Sequence, residues 1–539
     1  MAETLRGADV LVEALKAAGT RYVFTLSGNH IMPVFDATIA RGIELIHVRH
    51  EGAAVHMADA WARLTGEVGI ALVTGGPGHA NAVGALYTAL AAESPLVLFS
   101  GHAPHDELGL GAFQEMRQAD IAAPLCKASW TAERAETLAC DVARAIAIAG
   151  SGRPGPVHVS LPSDVLDRVI ARSAVVAPPP AVTAAAPSAS DVANLSALIA
   201  GAARPLVVAG PRFDTVAGRT LLDRAAAAHD VATAVMASPR GINDPSLGAF
   251  AEVLAAADLV VLLGKPLDFT MRFGRAPAVS DKARIVAVET DAGLVARARS
   301  AFGDRFATVI DADAGLAAAA LAASAPKAAT ARRREAEAAI AYRPAGWQTV
   351  SGPSGRMHSA EMCRTIAAVL ADHPDAILVA DGGEIGQWAQ AMIPTRRRVI
   401  NGVAGSIGAA LPFAVAARLA APDAPVVAVM GDGTFGFHMA EIDTAVRAGA
   451  AFVAVVGNDA RWNAEHQIQL KSYGPDRTVG CDLLPTRYDG VAVALGGAGA
   501  HVSDAPALET ALRDALARNV PTCIDAAIDG APAPVVRRT

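Results

Sequence analysis

The stretch VVAVMGDGTFGFHMAEIDTAVRAGAAFVAVVGNDARWN, from Val426 to Asn463, decides the fold. The apolar run VVAVM passes into Gly431-Asp432-Gly433 without a polar interruption, the pattern of a strand buried on both faces. Met439, Ile442, Ala445 and Val446 follow at helical spacing and predict an amphipathic helix. AFVAVV predicts a second strand, ending on Gly457-Asn458-Asp459. Strand, glycine turn, helix, strand is a βαβ unit, and here a carboxylate follows each strand. Open α/β sheets bind ligands beyond the carboxyl ends of their strands. Backbone N–H groups at a helix start suit a phosphate, and paired acids suit a hard cation such as magnesium. Gly431, Asp432, Gly433, Thr434 and Asp459 are therefore candidates for a metal-bound diphosphate site. Two other readings compete on this stretch alone. Gly431 to Gly436 formally matches G-x-G-x-x-G, with Asp459 placed as a ribose-binding acid of a nicotinamide site. An acid inside that turn would repel a pyrophosphate unless a cation lay between them. The unit could also be purely structural.

Working outward, the 539 residues are enough for about three domains of ordinary size. Apolar runs such as AGSIGAALPFAVAARLA are broken by Ser, Pro and Arg before reaching membrane-spanning length. The start, MAETLRGADVLVEALKAAG, has early acids and reads as an amphipathic helix rather than a signal peptide. A net charge of −7 gives no reason to expect nucleic acid or an anionic membrane as a partner. The five cysteines are scattered without a C-x-x-C, which argues against structural zinc or a disulfide framework and fits a reducing cytoplasm.

Two compositional breaks divide the chain. Val175 to Ser190 is rich in Pro, Ala and Ser and reads as a linker. A second break spans about Ala325 to Gly355, with the charged helix-like run TARRREAEAAIAY inside it. Three blocks result, 1–172, 190–325 and 356–539. Each alternates apolar strands with amphipathic helices, so the expected fold is α/β with three doubly wound parallel-sheet domains. GIALVTGGPGHANAVGALYTALAAESPLVLFSG in the first block and PVVAVMGDGTFGFHMAEIDTAVRAGAAFVAVVGND in the third share one plan, strand, glycine turn, helix, strand. They look like diverged copies, of which only the second keeps the aspartates. In the first block, IELIHV leads to Arg49-His50-Glu51 and a helix. By position alone, Glu51 is an ordinary first-turn acid favoured by the helix dipole.

Taken together, these motifs resemble thiamine-diphosphate enzymes of the acetolactate synthase, 2-hydroxyacyl-CoA lyase and benzaldehyde lyase group. Arg49-His50-Glu51, then Gly76-Pro77-Gly78 with Asn81, match the family's pyrimidine-binding domain. Asn401 to Gly408 matches the segment that passes beneath the cofactor. Gly431-Asp432-Gly433 with Asn458-Asp459 matches its diphosphate motif, where most members carry a second Asn instead of Asp459. The resemblance implies a pyrimidine-binding, a central and a diphosphate-binding domain. It makes Glu51 the acid that activates the aminopyrimidine. Asp432, Asp459 and the Arg461 carbonyl become the magnesium ligands. Gly76, Asn81, Gly382, Gly383, Gly405, Ser406 and Ile407 also become cofactor-binding residues, with Ile407 wedged between the cofactor's rings. His30, in Leu26-Ser27-Gly28-Asn29-His30, falls on the acid/base histidine of benzaldehyde lyase, and Gln114 falls where the family borders the substrate. For His30 the residues alone also allow a surface-loop histidine.

The implied activity is a carbon–carbon lyase or carboligase for small 2-hydroxyacyl or 2-oxoacyl compounds, most like 2-hydroxyacyl-CoA lyase. Acetolactate synthesis, and a benzaldehyde lyase or benzoylformate decarboxylase type of reaction, are the alternatives. Gly264-Lys265-Pro266-Leu267-Asp268 departs from the arginine-containing sequence of flavin-binding relatives, which argues against FAD. The ending APAPVVRRT is expected to lack a long CoA-closing tail, which counts against acyl-CoA as a substrate. The resemblance further implies a homodimer or homotetramer with sites at subunit interfaces. A catalytically dead cofactor-binding subunit is a different class of answer, and the intact Glu51 and Asp432 argue against it.

Overall fold

The apolar runs form three parallel sheets in the computed structural model, which describes residues 3–179, 184–353 and 355–538. The first sheet uses Tyr22–Thr25, Glu44–His47, Gly69–Val73, Leu96–His102, Ala128–Thr131 and Val157–Pro162. Across the sheet they lie in the order second, first, third, fourth, sixth, fifth. The last sheet uses Ile377–Ala380, Arg397–Ile400, Val426–Gly431, Val453–Asn458, Ala498–Val502 and Thr522–Ala527, in the same order. General α/β architecture does not require the sixth strand to sit inside the fifth, so the shared order supports the reading of two diverged copies. The central sheet, Pro205–Ala209, Ala232–Val235, Leu259–Leu263, Arg284–Val288 and Phe306–Ile310, runs second, first, third, fourth, fifth.

The first sheet lies within 1–172, the central sheet within 190–325 and the last within 356–539. Helix Ala331–Ala341, expected between domains, packs on the central domain's strand Ala232–Val235 and helix Phe250–Ala256. The proposed linker falls partly outside the described residues, at 180–183. No helix among the described residues is long and apolar enough to cross a membrane.

The helix expected after Gly433 is two helices, Asp432–His438 and Glu441–Arg447. Between them the N–H groups of Ile442 and Asp443 bond the Met439 and Ala440 carbonyls three residues back. That tightening changes the angular spacing. Ile442 and Ala445 are buried as expected, while Met439 and Val446 are partly exposed.

The first and last domains meet through helices Glu51–Thr65 and Ala410–Ala420. Buried small side chains on both helices (Ala53, Ala54, Ala58; Ala410, Ala414, Ala417) let the backbones approach, and Phe413 packs edge-on against His56 with ring centres 5.7 Å apart. Removing a buried phenylalanine of this kind costs about 3–5 kcal/mol. Arg63 crosses the seam, donating to the Ile400 carbonyl at 2.7 Å.

Candidate active site

In the last domain, adjacent parallel strands end together, with Gly431 opposite Gly457 in register. Their ends deliver Asp432 and Asp459 to one place. The single Arg461 N–H donates to Asp432 Oδ2 and to Asp459 Oδ1, both at 3.1 Å. Burial pushes the Asp432 carboxyl up to about 6, against the pull of backbone N–H groups. Burial, and then the Asp432 charge, push Asp459 up to about 7. Two buried acids that cannot comfortably ionise together are the donor set a divalent cation relieves. The residues present therefore fit magnesium.

A cavity of about 220 Å³ runs from these acids along Gly382, Gly383, Gly405, Ile407 and Thr434. Its shape depends on missing side chains. A Cβ on Gly433 would stand 2.5 Å from the Trp462 ring, and one on Gly382 would stand 2.6 Å from Ile407 Cγ2. Asp381, which sequence reasoning missed, pins this wall. Its carboxylate accepts from the N–H groups of Gly382 (2.7 Å), Gly408 (2.9 Å) and Ala410 (3.0 Å). It thereby ties the loop carrying Ile407 to a strand end. Pro239 and Arg240 of the central domain close one side, and Arg240 donates to Glu384 at 3.2 Å. Ser406, expected at the cofactor, does not line this cavity. It accepts a hydrogen bond from Thr88 at 2.9 Å and belongs to the contact between domains.

A second cluster forms in the first domain. Glu51 opens helix Glu51–Thr65, capped by His50, whose Nδ1 accepts from the Gly52 N–H at 3.0 Å. The Glu51 carboxylate is buried and accepts from Asn81 Nδ2 at 3.0 Å. Gly76 turns at φ +59, and a Cβ there would lie 2.8 Å from the Gln114 carbonyl oxygen. Gln114 itself is left-handed at φ +58, strain that a packed site can hold. His30 is buried rather than a surface-loop residue. It lies 3.3 Å from Thr74 Oγ1 and stacks on Phe113, with ring centres 6.1 Å apart. Burial, and then His102, lower its pKa below the usual imidazole range, which favours the neutral ring. Glu51, Asn81, Gly76, His30 and Gln114 thus converge on the turn Thr74 to Gly78. Gln118 supports it, accepting from the Gly76 N–H at 2.8 Å and donating to the Gly101 carbonyl at 3.0 Å. No motif pointed to Gln118 or Thr74.

Among the described residues, the first cluster does not line the cavity of the second. Glu51, Asn81, His30 and Gln114 line no part of the Asp432–Asp459 cavity. The segment Gly264 to Asp268 belongs to neither cluster. Lys265 is buried there, with its ammonium held 3.0 Å from Asp268.

Residues 5–121 match the family pattern of the thiamine pyrophosphate enzyme N-terminal TPP binding domain, and residues 381–526 that of the C-terminal TPP binding domain. The chain is 31% identical to the probable acetolactate synthase of Mycobacterium bovis, covering 98% of this chain and 96% of that protein. It is 31% identical to 2-hydroxyacyl-CoA lyase 2 of Homo sapiens, covering 93% and 86%. It is 30% identical to 2-hydroxyacyl-CoA lyase 2 of Caenorhabditis elegans, covering 95% and 87%.

Proposed function

The chain belongs to the thiamine pyrophosphate enzyme family, and from that premise we propose a magnesium-dependent carbon–carbon lyase or carboligase acting on small 2-hydroxyacyl or 2-oxoacyl substrates. Thiamine diphosphate, when bound, supplies the carbon nucleophile and the electron sink for breaking or making a bond beside a carbonyl. The rest is the protein's work. Asp432, Asp459 and the Arg461 carbonyl would hold the cation and, through it, the diphosphate, and Gly382, Gly383, Gly431, Gly433 and Thr434 would let the backbone approach it. Ile407 and Gly405 shape the cavity wall on which the cofactor's rings would rest. Glu51, buried and accepting from Asn81, would hydrogen-bond the aminopyrimidine.

The observation that carries the lyase reading is His30, a buried, neutral imidazole beside Thr74 at the same turn as Glu51. Releasing an aldehyde requires a base to take the substrate hydroxyl proton as the carbon–carbon bond breaks; in this reading His30 is that base and Gln114 donates to the substrate oxygen. Loss of CO2 requires no such base. The similarity to a probable acetolactate synthase favours the second reading, in which two 2-oxo acids are joined.

The working unit is a homodimer or larger, in which the Glu51 cluster of one copy meets the Asp432 cavity of another. Each cluster is incomplete alone, and each carries exposed apolar side chains: Leu110 and Phe113 beside the first, Val479 and Leu484 beside the second. Incubating the holoenzyme with a 2-hydroxyacyl-CoA and, separately, with pyruvate tests the choice. Aldehyde release from the first supports the lyase. Acetolactate from the second with no cleavage of the first selects the synthase.

A further inference from the structure

Behind the cation-ligand turn, three strands bring Asn458, Asp525 and His501 onto one face of the sheet. Register pairs Val456 with Asp525 and His501 with Asp525, so the alternation of strand side chains puts Asn458 on the same side, one step further along. Asp525 is fully buried. Its Oδ1 accepts from Asn458 Nδ2 at 2.9 Å, and its Oδ2 lies 3.0 Å from His501 Nδ1. The other end of the same amide, Asn458 Oδ1, accepts from the Ala460 N–H at 3.1 Å. Ala460 is left-handed, φ +57, an unfavourable conformation for a residue with a Cβ. Its neighbours on either side, Asp459 and Arg461, are the residues assigned to the cation.

An ionised carboxylate can only accept hydrogen bonds, whereas an amide has distinct donor and acceptor ends. A carboxylate at 525 therefore forces the Asn458 nitrogen towards itself and the Asn458 oxygen towards Ala460. Reversing the amide would set two acceptors together and two N–H donors together. The Thr486 carbonyl, 2.9 Å from the same Nδ2, favours the same orientation.

We infer that Asp525 is a positioning residue for the cation site: it fixes the orientation of the Asn458 amide, and that amide holds the left-handed Ala460 turn which presents Asp459 and Arg461. The inference rests on the cation reading above, and the test separates the two.

Protein stripped of metal with a chelator and kept in saturating thiamine diphosphate is titrated with Mn²⁺, followed by electron paramagnetic resonance. Asp525→Leu, which leaves the Thr486 carbonyl as the remaining acceptor for the Asn458 nitrogen, weakens Mn²⁺ binding about 10- to 100-fold, the range for groups that orient metal ligands. Asp525→Asn keeps an acceptor oxygen for Asn458 and stays close to the wild type. Full affinity in Asp525→Leu, or equal loss in both variants, overturns the inference. Should Asp525→Leu fail to fold, Asp525→Ala takes its place: Asn458→Ala alone reproduces the weakening and adding Asp525→Ala to it causes no further loss, whereas an additive loss overturns the inference. Asp432→Ala in the same titration tests the cation site itself. Loss there with full affinity in Asp525→Leu sinks only the positioning role, whereas full affinity in Asp432→Ala sinks the site.

Discussion

Replacing Asp459 by Asn should flatten the pH dependence of magnesium binding while preserving the site. In the metal-free protein both acids hold protons more tightly than usual, Asp459 up to about 7 and Asp432 up to about 6. A cation can bind only after those protons leave, so affinity rises with pH through this window and levels off above it. Between pH 8 and pH 6 the ionised fraction of Asp459 falls from about nine-tenths to about one-tenth, a factor of about 10, and that of Asp432 falls about twofold. The wild type should therefore lose about 20-fold in apparent affinity over this range. In Asp459→Asn only the Asp432 factor remains. Asp432 is raised chiefly by burial and then by the Asp525 charge rather than by Asp459, so its value should hold. The variant should lose about twofold.

Protonation of the diphosphate itself acts on both proteins and cancels in the comparison. The amide keeps an oxygen ligand, so the variant still binds, with one charge fewer to attract the cation at pH 8. The assay is calorimetric Mg²⁺ titration in saturating thiamine diphosphate at pH 6, 7 and 8, in two buffers of different ionisation enthalpy to count released protons. The sign for the metal-free fold is consistent. A carboxyl raised in the folded state costs stability above its folded pKa and nothing below its unfolded pKa, so the apoprotein weakens as pH rises from about 4 to 7. Equal pH slopes for the wild type and Asp459→Asn would refute the coupled-acid account.

Glu51→Gln should retain diphosphate binding but slow exchange of the cofactor's thiazolium proton by about 100-fold or more, measured by NMR with deuterium quench; an unchanged rate removes Glu51 from the activating role. Mixing inactive Glu51→Gln with inactive Asp432→Ala should restore activity, because some mixed dimers carry one intact site; no recovery despite proven subunit exchange places both halves of the site in one chain. His30→Ala should impair aldehyde release or ligation far more than decarboxylation of a 2-oxo acid, and equal loss of both would overturn the assignment of His30 as base. Gly382→Ala should weaken cofactor retention, because its Cβ would stand 2.6 Å from Ile407 Cγ2; unchanged retention would show that the wall can yield there.

What could be read along the chain was chemistry placed at strand ends. Asp432 and Asp459 stood out because an acid directly after a run of buried aliphatic residues is costly unless it has a task, and both ends lie in one short segment. The common plan of the first and last domains was visible in the glycine turns. The strand order was not, because the sixth strand's insertion inside the fifth is decided by how helices pack on the sheet faces. Side-chain direction in glycine-rich backbone was also hidden, as Ser406 shows: it lies between Gly405 and Ile407 in sequence yet bonds Thr88 across the domain seam. Contacts made over long separations leave no local trace, and so Arg240 with Glu384, and Gln118 with Gly76, went unforeseen. Asp525 did leave one. In TCIDAA it is the single charge of a strand whose neighbours are otherwise apolar, a position where an unpaired carboxylate would be expensive. Its partner, Asn458, adjoins Asp459, so the polar residues that look out of place in two neighbouring strands answer one another. The first domain follows the same logic with different residues. Its strand ends carry Glu51, Thr74 and His30, and it has kept no aspartate pair. In the proposed function, two sheets of one topology divide the work, one holding a charged diphosphate through a cation, the other moving protons. In the proposed dimer a second copy brings the two strand-end surfaces face to face, which accounts for a cavity at Asp432 and Asp459 that none of Glu51, Asn81, His30 and Gln114 lines.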